Sequence, residues 1–348
     1  MDFRPSHDQR ALIAGMRTLL AARFPREKLR ESIDVKVLEG ALDRSLWREL
    51  GTCGFFSLRL AEKDGGAGLG LTEAVLLFEE AGRHLLPGPL VATHLAAGLI
   101  PGAADGETVV TALEGPGMVE HLSVADVVLV LDGDRLRALE VTDGHGPGAL
   151  PGRPVRSVDP TTPLRHVGKM PGCAQALPVV GAGGGGCAGG DTARLRREAS
   201  LLTAAQQLGS AGRTLDMAVS HAKNRRQFGR PIGAFQAVQH LCAQMLARTE
   251  LARVSVYAAS LTATENDIDG ARLLADEAAV RNARDCLQLH GGMGFTWEAD
   301  VHLHLKRAWL RRTQWQPAEG AEEALARALL APSGELPDGI ANHSNDAG

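Results

Sequence analysis

No stretch of this chain approaches the run of roughly 18 apolar residues that a membrane-spanning helix needs, so no membrane partner is expected. Charge of one sign is lacking too. A net charge of −4 and an isoelectric point near 6.3 give nucleic acid or an anionic membrane surface little to hold. The five cysteines (Cys53, Cys173, Cys187, Cys242, Cys286) are scattered, odd in number and without a CxxC pair, which excludes a disulfide framework and predicts free thiols in a reducing compartment. The opening residues are polar, with no basic leader feeding an apolar run, and in the absence of an address the expected location is the cytoplasm. Aromatic residues are sparse, at 4%. What remains is ordinary globular material, 44% hydrophobic and 22% charged over 348 residues, enough for a sizeable core.

The pattern divides the chain into a helical block at 1–106, a small β segment at 107–182, a Gly-rich linker at 183–190, a second helical block at 191–332 and a polar tail at 333–348 predicted to be disordered. In the first block, Ser6 with Gln9 makes a capping box ahead of Leu12, Met16, Leu19 and Leu20. Ser45 opens a second helix that ends at Gly51. After the loop Lys63–Gly70, Leu71, Val75 and Phe78 begin a third that ends at Gly82, and Pro87-Gly88-Pro89 stops the block. In the β segment, Thr108–Leu113 reads as a strand. Val127–Leu131 and Arg135–Val141 flank an Asp-Gly turn as a hairpin, and Ala176–Val180 reads as a last strand after a Pro-rich stretch.

The second helical block has the most regular apolar period. Leu201, Ala205, Leu208, Gly212, Leu215, Val219 and Ala222 alternate steps of four and three, and so do Val238, Cys242, Met245, Thr249, Ala252, Val256 and Ala259. A third helix is expected from Gly270 to His290 and a fourth from Pro317, carrying Leu325 and Ala328. An antiparallel four-helix bundle buries such stripes. Gly181, Gly183 and Gly186 satisfy the GxGxxG spacing, but the following helix starts too late and no strand with an acidic ribose ligand comes after it. The segment is read as a linker, with Asp191 capping the next helix.

Two segments carry candidate chemistry. The corner Asn224–Gln236 sets Arg225, Arg226 and Arg230 around Gly229 and Pro231, and guanidinium forks suit phosphate oxygens; a solvated helix–helix loop fits the same residues. Gln288–Trp297 sets Gly291, Gly292 and Gly294 at a helix end, where a ligand can approach backbone N–H groups, or where a plain C-cap suffices. Together and in this order, Arg-x-x-Phe-Gly, Phe-Gln and Gln-x-x-Gly-Gly-x-Gly resemble the acyl-CoA dehydrogenase family, specifically over 191–312 and more weakly over the N-terminal helices. The resemblance implies a mainly α fold with a small β domain: a helical N-terminal domain, a middle β domain and a C-terminal four-helix bundle. It also implies FAD. Arg225 and Gln236 match residues that hold FAD phosphates, Phe228 matches a ring laid against the cofactor, and Gln288, Gly291, Gly292 and Gly294 match the stretch along its ADP portion. In the family these contacts reach the flavin of a neighbouring subunit.

Departures from the family pattern limit what the resemblance implies. The middle-domain run beside the isoalloxazine has only Leu113-Glu114-Gly115-Pro116-Gly117 as its counterpart, and the usual catalytic glutamate would fall near Trp315. Glu319 lies in the first turn of a helix instead. Some members carry the base on the first bundle helix, at the position of Ala199. Glu198 is its neighbour and the one candidate base, turned by about 100°. His290, Asp300, His302 and His304 lack the spacing of metal ligands, and no metal is expected. The leading expectation is a subunit of a heteromeric FAD-dependent acyl-CoA dehydrogenase, of the short type known from actinobacterial two-gene (αβ)₂ enzymes of steroid and lipid catabolism. It would act on an acyl thioester with a homologous subunit that supplies the base. A self-sufficient homo-oligomeric dehydrogenase and a non-redox binding or scaffold protein on the same fold stay open. No CoA-phosphate ligand is apparent, which leaves an acyl carrier protein thioester open beside acyl-CoA.

Overall fold

The computed structural model describes residues 3–34, 42–141, 150, 152–170, 188–189 and 192–330. The expected strand Ala176–Val180, the Gly181–Gly186 motif, the Asp191 cap, the tail 333–348 and the thiols of Cys173 and Cys187 lie outside them. Among the described residues the N-terminal block holds five α-helices: α1 (His7–Arg23), α2 (Arg26–Asp34), α3 (Arg44–Thr52), α4 (Leu71–Arg83) and α5 (Leu90–Ala96). The capping box is present, with Gln9 N donating to Ser6 Oγ at 3.2 Å and Ser6 N donating to Gln9 Oε1 at 2.9 Å. The second helix is capped two residues earlier than Ser45, by Asp43, whose Oδ1 accepts from Ser45 N and Leu46 N.

Among the described residues seven strands follow: β1 (Val110–Glu114), β2 (Gly117–Glu120), β3 (Val127–Asp132), β4 (Arg135–Glu140), β5 (Gly152–Val155), β6 (Leu164–Val167) and β7 (Ala188–Gly189). They form one sheet in the order β1-β3-β4-β7, with β1 parallel to β3, and a second, antiparallel sheet in the order β2-β6-β5. The expected hairpin is β3–β4, with Gly133 at φ 59 supplying the positive-φ position of its turn. Ala188–Gly189, within the Gly-rich stretch, pairs with Leu136 and Arg135.

The C-terminal block comprises α6 (Thr192–Asn224), the two-residue strands β8 (Arg226–Gln227) and β9 (Arg230–Pro231), α7 (Gln236–Thr262), α8 (Glu265–His290), α9 (Val301–Arg311) and α10 (Ala318–Leu330). Helices α6, α7, α8 and α10 are those the periodicity announces, α8 starting five residues earlier than Gly270; α9 is an additional helix. The stripe along α6 is buried at Leu201, Ala205, Leu208 and Gly212, and that along α7 at Met245, Thr249, Ala252, Val256 and Ala259.

N-terminal helices and bundle share one apolar core, which runs from Leu20, Leu50 and Phe78 through Val110 and Leu129 to Leu201, Val256 and Leu303. Helix α4 crosses α6 where both carry glycine. A Cβ on Gly209 would stand 1.9 Å from Glu79 O, and one on Gly82 would stand 2.1 Å from Gln206 O. Side chains there would force the helices apart, so these two glycines fix how the first block seats on the bundle. No helix among the described residues is long and apolar enough to cross a membrane.

Candidate functional site

The two motif segments meet at one end of the bundle. Helix α6 ends at Asn224 and α8 at His290, and the rings of His221 and His290 stack between them at 4.0 Å. Arg225 follows α6 directly, its N–H donating to His221 O at 2.8 Å and its carbonyl accepting from Ile232 N at 2.8 Å, so the β8–β9 corner is a closed turn rather than a loose loop. Phe228 at φ 50 and Gly229 at φ 79 make the reversal. That turn pushes the Phe228 ring outward, where it is 90% exposed. The Arg225 side chain is exposed, with no ion pair to an acid among the described residues, while Arg230 lies over the Phe235 ring at 4.2 Å. Gln236 is the first residue of α7 and is exposed.

Gln288 is exposed on the last turn of α8. Gly291, at φ 59, ends the helix, and 291–295 form a 3-10 turn. Gly292 is open to solvent and Gly294 is buried, packed beneath Leu287 O, where a Cβ would stand at 2.9 Å. Met293 and Phe295 project outward, 60% and 76% exposed. Every carried-over contact residue except Gly294 thus faces away from its own subunit. Opposite the buried stripe of α7, a second apolar line runs at steps of four and three through Ala247, Leu251, Val254, Ala258 and Leu261; among the described residues it is exposed at all but Ala258, which is half-buried.

Glu198 is buried on α6 and held in a fork, accepting from Arg59 Nη1 at 2.8 Å and Nη2 at 3.0 Å, with Arg194 Nη1 at 3.5 Å. Both carboxylate oxygens are therefore engaged by guanidinium groups of the same chain, which turn them toward Arg59 and Arg194 rather than toward a ligand. Changing Glu198 to glutamine is expected to leave turnover within a few-fold of the parent while lowering stability by about 1–3 kcal/mol through the weakened fork. Initial rates beside urea unfolding check this, and a folded, flavin-loaded but inactive variant would overturn it.

A cavity of about 540 Å³ opens between the β segment and the α9–α10 connection. Its walls include Ala112, Met118, Leu164, Leu310 and Trp315, and two carboxylates, Glu114 and Glu120, stand at it. Glu114, Gly117 and Trp315, the residues at which the resemblance leads one to expect an isoalloxazine run and a base position, line this one space. Trp315 adopts φ 60, and the adjacent Gln314 donates Nε2 to Glu120 Oε2 at 2.7 Å. Arg272, fully buried, donates to the carbonyls of Arg311 and Gln314 and so pins the connection from below. Glu120 has no signal in the sequence, being a lone glutamate between Val119 and His121 in a strand that the alternation does not announce.

His302 and His304 are both engaged within the fold. His304 is buried with Nδ1 2.8 Å from Ser210 Oγ, and its pKa is pushed down to about 3 by burial, with Arg213, Arg307 and Arg83 adding to the shift. His302 stacks on Trp297 at 5.2 Å. Among the described residues no cluster of three or more His, Cys, Asp or Glu side chains could hold a metal ion.

Known proteins place these features together. The acyl-CoA dehydrogenase N-terminal domain family matches residues 6–106 and the acyl-CoA dehydrogenase C-terminal domain family residues 192–331. The acyl-CoA dehydrogenase IpdE2 of Mycolicibacterium smegmatis is 34% identical over 276 residues, covering 76% of this chain and 82% of its own length. FadE34 of Mycobacterium tuberculosis is 32% identical over 345 residues, covering 86% of this chain, which spans 46% of that longer relative. Among solved structures, the ChsE4–ChsE5 complex from Mycobacterium tuberculosis superposes with a TM-score of 0.80 at 23% identity, covering 95% of this chain and 100% of that one. The helical, β and bundle layers, the two outward-facing motif turns and these matches lead to one conclusion: this chain belongs to the acyl-CoA dehydrogenase family.

Proposed function

We propose that this chain is one of two homologous subunits of an FAD-dependent acyl-CoA dehydrogenase, and that it lends Arg225, Phe228, Gln236 and the Gln288–Gly294 turn to a flavin held mainly by its partner. The observation that carries the reading is the outward direction of both turns, which leaves the side chains of Arg225, Gln236 and Gln288 exposed and without a hydrogen-bond partner among the described residues. Their chemistry fits the cofactor. The guanidinium of Arg225 and the amides of Gln236 and Gln288 suit pyrophosphate oxygens, and the bare backbone at Gly291 and Gly292 admits close approach. Bound FAD would accept the β-hydride of an acyl thioester once a carboxylate has taken the α-proton.

At the shared cofactor the work of this chain is to bind and orient. Arg225 and Gln236 hold the phosphates, Phe228 covers the cofactor, and Met293 and Phe295 seal the edge against water. The uncovered stripe of α7 is of a kind that a partner helix buries. The ChsE4–ChsE5 complex, described as an assembly of two components, supports a two-chain enzyme, and the relatives' names support acyl-CoA as substrate. An acyl carrier protein thioester presents the same reacting atoms. Replacing Arg225 by alanine in the assembled enzyme is expected to weaken FAD binding roughly ten- to a hundred-fold with unchanged helical circular dichroism. Full flavin occupancy in dilution would show that Arg225 does not hold the cofactor.

A further inference from the structure

We infer that Glu120, facing the 540 Å³ cavity across from Trp315, is a proton-abstracting carboxylate for the α-carbon of an acyl thioester bound there. The inference rests on the thioester half of the proposed function and is independent of which subunit holds the flavin.

Three observations converge on it. First, the cavity is walled mostly by apolar side chains and lies between the counterparts of the flavin-side run and of the base position, while the latter is occupied by Trp315, which cannot accept a proton. Glu120 enters the same space from β2, so the carboxylate has changed wall rather than disappeared. Second, Gln314 Nε2 holds Oε2 at 2.7 Å, which orients the carboxyl and leaves Oε1 without a hydrogen-bond partner among the described residues. Glu114, the other carboxylate at the cavity, is instead taken up by an ion pair with Arg196. Third, the surroundings favour a base. Burial pushes the Glu120 carboxyl above its ordinary value, against the pull of Arg311, Gln314 and Arg307, with Asp159 adding a like charge. The neighbouring His121 is held uncharged, its pKa pushed down to about 3 by burial and Arg307. Arg311 is buried with Nη1 unpartnered, its pKa pushed down to about 9 by burial, and it is still a cation at neutral pH.

The step is an enolisation. The Cα–H bond breaks, its electron pair passes into the enolate conjugated with the thioester carbonyl, and the proton goes to a Glu120 carboxylate oxygen. When the proton returns, Cα regains a hydrogen that has exchanged with solvent, and no oxidant is consumed.

That balance permits a test without flavin. The purified chain is incubated in D₂O with butanoyl-CoA and octanoyl-CoA, and α-deuterium is counted by mass spectrometry. The parent is expected to catalyse wash-in at a rate that rises with pH through an apparent pKa above that of an ordinary carboxylate and then levels. Glu120→Gln should slow it about a hundred-fold or more. Glu120→Asp should restore part of the rate, which a purely structural role would not predict. Gln314→Ala, which keeps the carboxyl but removes the hydrogen bond favouring its ionised form, should shift the profile to higher pH. No exchange by the parent above buffer, or an unchanged rate in Glu120→Gln, would overturn the assignment. Because no flavin takes part, either result is separable from a failure of the shared-cofactor reading.

Discussion

Replacing Arg307 by alanine is expected to destabilise the chain by about 3–5 kcal/mol at neutral pH, since it leaves a buried aspartate without its counter-ion. Arg307 is 4% exposed and Asp159 1%. The guanidinium donates Nε to Asp159 Oδ2, Nη2 to Thr161 Oγ1 and, at 3.2 Å, Nη1 to Leu86 O. One side chain on α9 thereby ties together the β5–β6 connection and the α4–α5 connection. Burial alone would push the Asp159 carboxyl up, but the charge of Arg307 and the hydrogen bonds from Thr162, Arg307 and Thr161 outweigh it, and the net direction is down. A depressed carboxyl contributes stability above its unfolded pKa of about 3.9 and loses it as pH falls through the folded value. In Arg307→Ala the aspartate gains affinity for a proton instead, so the gap between variant and parent should narrow in acid. Urea unfolding at pH 7 and pH 4 measures both terms. A double variant with Asp159→Asn and Arg307→Met should cost less than the single change, because no charge is stranded. A single variant within 1 kcal/mol of the parent would mean that the pair is not what holds α9 in place.

Helix α9 also marks where sequence reading gave out. Its sequence, VHLHLKRAWLR, alternates apolar and polar residues at its start and so has the period of a strand. It is a helix because His304 is satisfied by Ser210 on α6 and Arg307 by Asp159, partners that no local window contains. Helix α2 was hidden for the opposite reason. REKLRESID is nearly all polar, and only Leu29 and Ile33 reach the core. Helix α5 is seven residues long, too short for a period to declare itself, and entirely buried. By contrast, α1, α6, α7 and the β3–β4 hairpin were legible because each is specified locally, by a capping box, by two turns or more of stripe, or by an Asp-Gly reversal.

The candidate site divides along the same line. The residue types at Arg225, Phe228, Gln236 and Gln288–Gly294 could be matched as motifs, since they sit on turns whose shape their own glycines set. Their juxtaposition could not, because it comes from the stack of His221 on His290 across two helices. Glu120 was beyond reach altogether. What sets it apart is a cavity assembled from β1, β2, β6 and the α9–α10 connection, held by Arg272 reaching from α8. The second stripe of α7 was written in the sequence at regular steps, but on a helix whose first stripe already accounts for burial it shows only once most of that side is seen to stay exposed among the described residues.

Flavin stoichiometry is expected to be the largest effect of all: little or no FAD on the purified chain alone, and one FAD per two polypeptides when it is co-expressed with a homologous partner. The argument is one of imbalance. The turns expected to clasp a neighbour's cofactor face outward, whereas the run expected to flank the chain's own isoalloxazine has only Leu113–Gly117 as its counterpart, with Glu114 engaged by Arg196. A ring system seated there would lose packing and hydrogen bonds on one side, and binding energy for a large planar ligand falls steeply when a face is left to water. In the assembly the uncovered stripe of α7 and the Phe228, Met293 and Phe295 side chains would be buried together, which couples subunit association to cofactor binding, so that each stabilises the other. Flavin absorbance against protein concentration, with and without the partner, reads this directly, and thermal stability should rise with added FAD only when both chains are present. One FAD per chain in the absence of a partner, bleached by an acyl-CoA, would sink the two-chain reading. Glu120 would then be the first carboxylate to test as the base of a self-sufficient dehydrogenase.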